Sequence, residues 1–194
     1  MLIIVDLVNP IKEADIVLEQ EHSMGRSILE VVEIVVIALV LSWVLRTFVI
    51  EARVIPTGSM LPTIQLQDRV VVDKLFFKWT GIHRDDIIVF RPPPQANSTE
   101  DFIKRVIGLP GEKLQIRDGK VFINDKPLYE PFVLEPPNYQ YGPVLIPAND
   151  YFVMGDNRNN SADSHEWGFL PYANITGRAL FRYWPLNRFG PLAR

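Results

Sequence analysis

The first strong pattern along the chain is a solid block of apolar positions. In "SILEVVEIVVIALVLSWVLRTFVIEA" apolar side chains dominate from Leu29 to Ile50, and Ser42 is the one polar residue between Ile34 and Leu45. At ~1.5 Å of rise per residue, a helix of that length crosses the ~30 Å of hydrocarbon in a bilayer. Glu30, Glu33 and Arg46 lie near its ends, where long side chains reach the headgroups. The pattern predicts a transmembrane helix over residues 28–50. A buried core helix is the alternative that apolarity alone leaves open. Before it, residues 1–27 combine a short apolar start, "MLIIVDLV", with "KEADIVLEQEHSMGR". That is too acidic for the basic start of a secretory signal peptide, and it predicts a weakly ordered or amphipathic leader.

From Val54 the texture changes to short Val-, Ile- and Phe-rich runs bounded by Gly, Pro, Asp and Asn. They are "RVVVDKLFF", "DDIIVF", "DFIKRVIG", "EKLQIRDGKVFIND", "YFVMGD" and "GRALFRYW". Such runs are strands and turns. Asp118-Gly119 is a strong two-residue hairpin signal, and Asn124-Asp125 is a weaker turn. "RPPPQANSTED" and "YEPFVLEPPNYQYGP" read as exposed, proline-rich connections. The expected fold is mostly β: an antiparallel sheet or barrel-like body over residues 51–194, preceded by one N-terminal transmembrane helix.

Composition sharpens this picture at three points. The 194 residues make one domain, or one domain with an appendage, and carry 16 prolines and 11 glycines, as a turn-rich β body does. A net charge of −3 gives no basic excess for nucleic acid. The absence of cysteine removes thiol nucleophiles, disulfides and Cys-based metal sites together. Charge does not orient the apolar helix. Lys12 and Arg26 precede it, while Arg46, Arg53, Arg69, Lys74 and Lys78 lie at its end or beyond, so the positive-inside rule does not favour an inside N-terminus.

Three segments carry candidate chemistry. "VIPTGSMLPTI" presents Ser59 between Gly58 and Met60. "DFIKRVIGLPGE" sets Lys104 inside an apolar strand. "MGDNRNNSADSHEWG" is a loop dense in Asp, Asn and Ser. A nucleophilic serine needs a base. Strand alternation puts Phe102, Lys104 and Val106 on one face and Ile103, Arg105 and Ile107 on the other. A lysine buried on such a face loses proton affinity by desolvation. A Ser59–His165–Asp163 triad is a second arrangement. A calcium-binding loop over 155–164 in a non-enzymatic β module is a third, although the segment lacks EF-hand spacing. A surface lysine on an edge strand and a loop held by Asx turns are the plainer structural readings.

The ordered set of an apolar anchor, "PTGSMLPT", "KRVIGLPGE" and "GDNRNNSADS" followed by "WG" resembles the type I signal peptidases. These are membrane-anchored serine proteases that remove signal peptides from exported preproteins. The resemblance covers the anchor and almost all of the chain after it, in the compact form without a large inserted β domain. It implies Ser59 as nucleophile and Lys104 as general base, with no metal and no cofactor. It implies an oxyanion hole from the Ser59 N–H and the Thr57 hydroxyl. Ser161 is implied to hydrogen-bond the lysine amine, and Asp163 to support the site by pairing with Arg105. His165 departs from the arginine of some members. The substrate is expected to bind as an added strand between Val54, Ile55 and Pro56 on one side and Asp101, Phe102 and Ile103 on the other. Met60, Ile64, Ile55, Phe102 and Ile103 are expected to line shallow pockets that admit the small residues of Ala-x-Ala sites. The implied partners are preprotein signal peptides and the lipid bilayer, near the export translocon, with no nucleic acid. The implied location is the plasma or thylakoid membrane, single-pass, with the catalytic body extracytoplasmic.

Overall fold

The computed structural model describes residues 29–192; the 1–27 leader lies outside them. The apolar block forms helix α1, Leu29–Val49, long and apolar enough to cross a membrane. Its side chains stay exposed along its length, and its last turn, Leu45–Val49, widens to a π-helix. A compact unit begins at Arg46.

Among the described residues every strand pairing in that unit is antiparallel, as the turn-bounded runs predict. The larger sheet contains β1 (Ile50–Val54), β2 (Arg69–Asp73), β3 (Ile87–Phe90), β4 (Phe102–Gly108), β9 (Asp150–Met154), β10 (Leu170–Pro171), β11 (Ile175–Trp184) and β12 (Gly190–Pro191). Its order is β1-β2-β11-β3-β4-β9-β10, with β12 added to β11. The smaller sheet holds β5 (Lys113–Arg117), β6 (Lys120–Ile123), β7 (Lys126–Pro127) and β8 (Tyr141–Leu145), in the order β7-β6-β5-β8. Asp118 and Gly119 both take positive φ and set the register Arg117↔Lys120, as a two-residue hairpin turn requires. Asn124 and Asp125 do the same between β6 and β7.

Strand β4 is the pivot. It pairs with β3 from Phe102 to Arg105 and with β9 from Arg105 onward. Flanked on both sides and covered on both faces, it is buried from Ile103 to Gly108, with apolar residues on either side of the two enclosed cations Lys104 and Arg105. One face contributes Val106 to a cluster with Ile88, Phe90, Val153 and Trp167. The other contributes Ile103 to a cluster with Ile55, Met60, Ile64, Val70 and Val89. Ile107, Phe152 and Met154 join the smaller sheet through Leu114, Ile116, Val121 and Ile146.

One expectation is extended. The second proline-rich connection is mostly exposed, as expected, and it also covers buried groups. Phe132 lies flat against the Arg105 guanidinium at 3.9 Å, Glu130 pairs with buried Arg158 at 2.6 Å, and Tyr139 stacks on His165. Buried cations need carboxylate or aromatic cover, and this segment supplies it.

Candidate active site

The connection from β1 to β2 carries Ser59. Its base is closed by two backbone hydrogen bonds, Ile55 N to Asp68 O (2.9 Å) and Gln67 N to Ile55 O (2.8 Å). Within it, Ile64 N donates to Met60 O at 2.9 Å, so the residues after Ser59 make one tight turn. The loop is also held from the other end of the chain. Asn157 N donates to Ser59 O at 3.1 Å, and Asn157 Nδ2 donates to Gly58 O at 3.2 Å. Gly155 leaves room for this contact. A Cβ there would fall 2.4 Å from Ser59 O and 2.3 Å from Ser161 Oγ, which no side chain survives without movement.

Lys104 Nζ lies 2.8 Å from Ser59 Oγ, and both residues are buried. The amine is 5.2 Å from the Phe102 ring, two residues back on the same face of β4. Burial pushes the Lys104 amine down to about 8; the nearby charges of Asp163, Asp156 and Glu166 oppose that shift and do not cancel it. An ordinary lysine is neutral in about one molecule in 2,500 at pH 7, whereas at a pKa of about 8 the fraction is about one in eleven. With the amine neutral, the serine O–H can donate to its lone pair. Thr57 Oγ1 lies 3.5 Å from Ser59 Oγ on the exposed side.

Two expected contacts are corrected. Arg105 does not take Asp163 as its bidentate partner. Its Nε and Nη2 donate to Asp156 Oδ1 (2.9 Å) and Oδ2 (2.8 Å), with both side chains almost fully enclosed. Thr63 Oγ1 donates to the same Asp156 carboxylate at 2.5 Å, so the Ser59 turn and β4 share one anion. Asp163 instead caps the short helix α2 (Ser164–Trp167): its Oδ2 accepts from Gly155 N at 2.9 Å and its Oδ1 faces His165 Nδ1 at 2.7 Å. The physical reason is reach. Arg105 leaves β4 on the face opposite Lys104, and Asp156 follows directly from β9, the neighbour of β4. The second correction is Ser161, whose hydroxyl is buried beside Gly155 and makes no hydrogen bond, to Lys104 or elsewhere.

His165 offers no triad. Its Nδ1 faces Asp163, and its Nε2 lies 3.8 Å from Glu166 rather than on Ser59. Among the described residues no three ligating side chains come together to hold a metal ion; Asp156 and Asp163 are bonded within the protein.

The proposed substrate edges are open. Among the described residues β1 pairs only with β2, and Phe102–Lys104 pair only with β3, because β9 ends opposite Arg105. Val54 and Pro56 are exposed, Asp101 and Phe102 are half-buried, and Ile55 and Ile103 are buried between the two edges. Met60 and Ile64 have no exposed surface. They back the groove and do not line it, because the turn after Ser59 folds them into the core. Sequence reasoning missed Asp156, Asn157 and Thr63. All three sit within the segments it singled out, but only proximity in space gives them their roles.

Residues 28–184 match the family described as signal peptidase, peptidase S26. A signal peptidase I of Leptolyngbya laminosa is 49% identical over 170 residues, 85% of this chain and 84% of that protein. The thylakoidal processing peptidase 1 of Arabidopsis thaliana chloroplasts is 42% identical over 159 residues, 78% of this chain and 47% of that protein. A crystal structure of a signal peptidase I from Enterococcus faecalis V583 aligns at 31% identity and a TM-score of 0.45, covering 50% of this chain and 96% of that one.

Proposed function

This chain belongs to the signal peptidase family, peptidase S26, and we propose that it cleaves signal peptides from preproteins after Ala-x-Ala sites with a Ser59–Lys104 dyad. The observation that carries the reading is the buried 2.8 Å contact between Lys104 Nζ and Ser59 Oγ. In this mechanism the neutral amine takes the Ser59 proton as Oγ attacks the scissile carbonyl. The oxyanion is held by the Ser59 N–H and the Thr57 hydroxyl. The Lys104 ammonium then gives its proton to the leaving amine. In the second half Lys104 takes a proton from water, the resulting hydroxide attacks the ester carbonyl, and Ser59 leaves with the proton returned. Arg105–Asp156 and Asp163 fix the strands around the dyad.

The substrate runs as an extended strand between the open edges of β1 and β4, so alternate side chains before the cut enter the groove. Helix α1 anchors the enzyme in a plasma or thylakoid membrane, single-pass, with the β body on the extracytoplasmic side and near the export translocon. Only about nine residues separate the end of the span from Ser59. The site therefore works close to the bilayer surface, where the precursor is tethered too.

The test is cleavage of a synthetic Ala-x-Ala preprotein by the wild type and by Ser59→Ala, Lys104→Ala and His165→Ala, across a pH series. The first two variants lose cleavage and the third keeps most of it. The wild-type kcat/KM climbs about tenfold per pH unit below pH 8 and then levels, following the neutral amine. Full activity in Lys104→Ala sinks the proposal.

A further inference from the structure

The groove beside Ser59 has two rungs on its core-facing side. Ile55 and Arg53 share one face of the β1 chain by alternation, and Ile103 and Asp101 share one face of the β4 chain. Ile55 and Ile103 belong to one buried apolar cluster. One step further from Ser59, Arg53 Nη1 meets Asp101 Oδ2 at 2.7 Å, and these side chains keep about a third and a fifth of their surface exposed, 32% and 21%. Arg53 is held from behind as well: its Nε lies 2.8 Å from Glu51 Oε1, and Glu51 Oε2 lies 3.4 Å from Lys74. The first rung is apolar and closed. The second is an ion pair bridging the two strand edges, pre-oriented and open to a ligand.

Chain direction decides which substrate residue meets it. A precursor's apolar segment lies N-terminal to its cut, as α1 lies N-terminal to β1. A strand that leaves the bilayer and reaches Ser59 beside β1 therefore runs parallel to it. The residue just before the cut then lies over the Ile55–Ile103 rung, and the third residue before the cut lies over Arg53–Asp101, since side chains on one face repeat every second residue.

We propose that the Arg53–Asp101 ion pair determines specificity at the third residue before the cut. This rests on the signal-peptidase reading and adds a residue pair to it. The pair does two things. Its stems fill the rung, so a side chain as large as Leu must displace them. Its two charges cancel, so neither an acidic nor a basic residue is favoured there. A small neutral side chain is what remains. Breaking the pair from either end tips the balance in opposite directions. Without the Asp101 charge, Arg53 and Lys74 outweigh the one carboxylate of Glu51 and the rung attracts an acidic residue; without Arg53, Asp101 attracts a basic one. The pair is partly solvated, so the charge effect is moderate, about threefold in each direction. Space in a pocket is worth more, about tenfold for a side-chain increment of this kind.

The experiment uses the full chain in detergent micelles and synthetic preproteins that carry Ala, Leu, Asp or Lys at the third position before the cut. A second series varies only the residue just before the cut. Arg53→Ala raises kcat/KM for Leu relative to Ala about tenfold and for Lys relative to Asp about threefold. Asp101→Asn keeps the volume and moves the charge preference the other way, about threefold toward Asp. Neither variant changes the ranking at the residue just before the cut, which a merely structural role would disturb equally. Unchanged rankings at the third position in variants that still cleave the Ala substrate overturn the assignment. If Arg53→Ala does not fold, Asp101→Asn decides alone by the sign of its Asp-to-Lys ratio. A wild type that cleaves no Ala-x-Ala preprotein refutes the signal-peptidase reading itself, and this assignment with it; the two failures are thus distinguishable.

Discussion

A buried amine with a pKa near 8 leaves a mark on stability as well as on activity, and Lys104→Met reads it out. In the unfolded chain the amine titrates near 10.5, and in the folded protein near 8. Below pH 8 the folded state holds an ammonium that burial disfavours. The cost is about 3 kcal/mol, from a difference of about 2.5 pH units at 1.36 kcal/mol each. Between pH 8 and 10.5 the unfolded chain binds a proton that the folded protein has released, so wild-type stability rises with pH through that window. Methionine keeps most of the side-chain volume and removes the titration. It also removes the contact to Ser59, worth about 1 kcal/mol. Lys104→Met is therefore about 2 kcal/mol more stable than the wild type at pH 7, some 4–8 °C in Tm for a body of this size, and the advantage fades as the pH approaches 10.5. The assay is thermal unfolding of both full chains in the same detergent, followed by near-ultraviolet circular dichroism at pH 7 and pH 10. A difference independent of pH, or a variant less stable than the wild type at pH 7, refutes the reasoning. A Lys104→Met variant that gains stability and loses preprotein cleavage ties the proposed base to the cost of burying it.

Two further predictions concern the frame around the Ser59–Lys104 contact. Gly155→Ala places a methyl group 2.3 Å from Ser161 Oγ and 2.4 Å from Ser59 O; overpacking of this kind costs about 1–3 kcal/mol, and a shift of about 1 Å in the nucleophile lowers kcat about 10²-fold, measurable by denaturant unfolding and preprotein cleavage. Arg105→Met strands the enclosed Asp156 carboxylate and costs about 3–5 kcal/mol of unfolding free energy, whereas Arg105→Met combined with Asp156→Leu recovers most of it; a double variant no more stable than the single one contradicts the pair.

Much of the fold was legible because its signals are local. Asp118-Gly119 forces a hairpin whatever surrounds it, and the apolar block at 29–49 has only one regular way to satisfy its backbone in lipid. Ser59 and Lys104 were legible as candidates because a serine beside a glycine, and a lysine in an apolar run, each break the pattern around them. The partners of Arg105 and Asp163 were not. Asp156 and Asp163 sit seven residues apart in one polar loop, and nothing local tells which acid faces which side of the sheet. The β4–β9 register decides it: Arg105 lies opposite Met154, two residues before Asp156. The second proline-rich segment is mostly exposed, as expected, but its covering role was not legible for a similar reason. Its Phe132 and Glu130 cover cations that the sequence gives no sign are buried.

The same register explains how a lysine can lose proton affinity with three acids nearby. Asp163, Asp156 and Glu166 all favour the ammonium of Lys104, yet burial prevails. Asp156 already balances the Arg105 guanidinium through two hydrogen bonds. Asp163 already accepts from Gly155 N and faces His165. Glu166 is more than half exposed, at 57%, where water screens it. Each acid is committed elsewhere or screened, so little of its field acts on Lys104 alone, and the desolvation of β4 sets the outcome. The loop that is densest in charge thus leaves the Lys104 amine depressed mainly by keeping its own charges occupied.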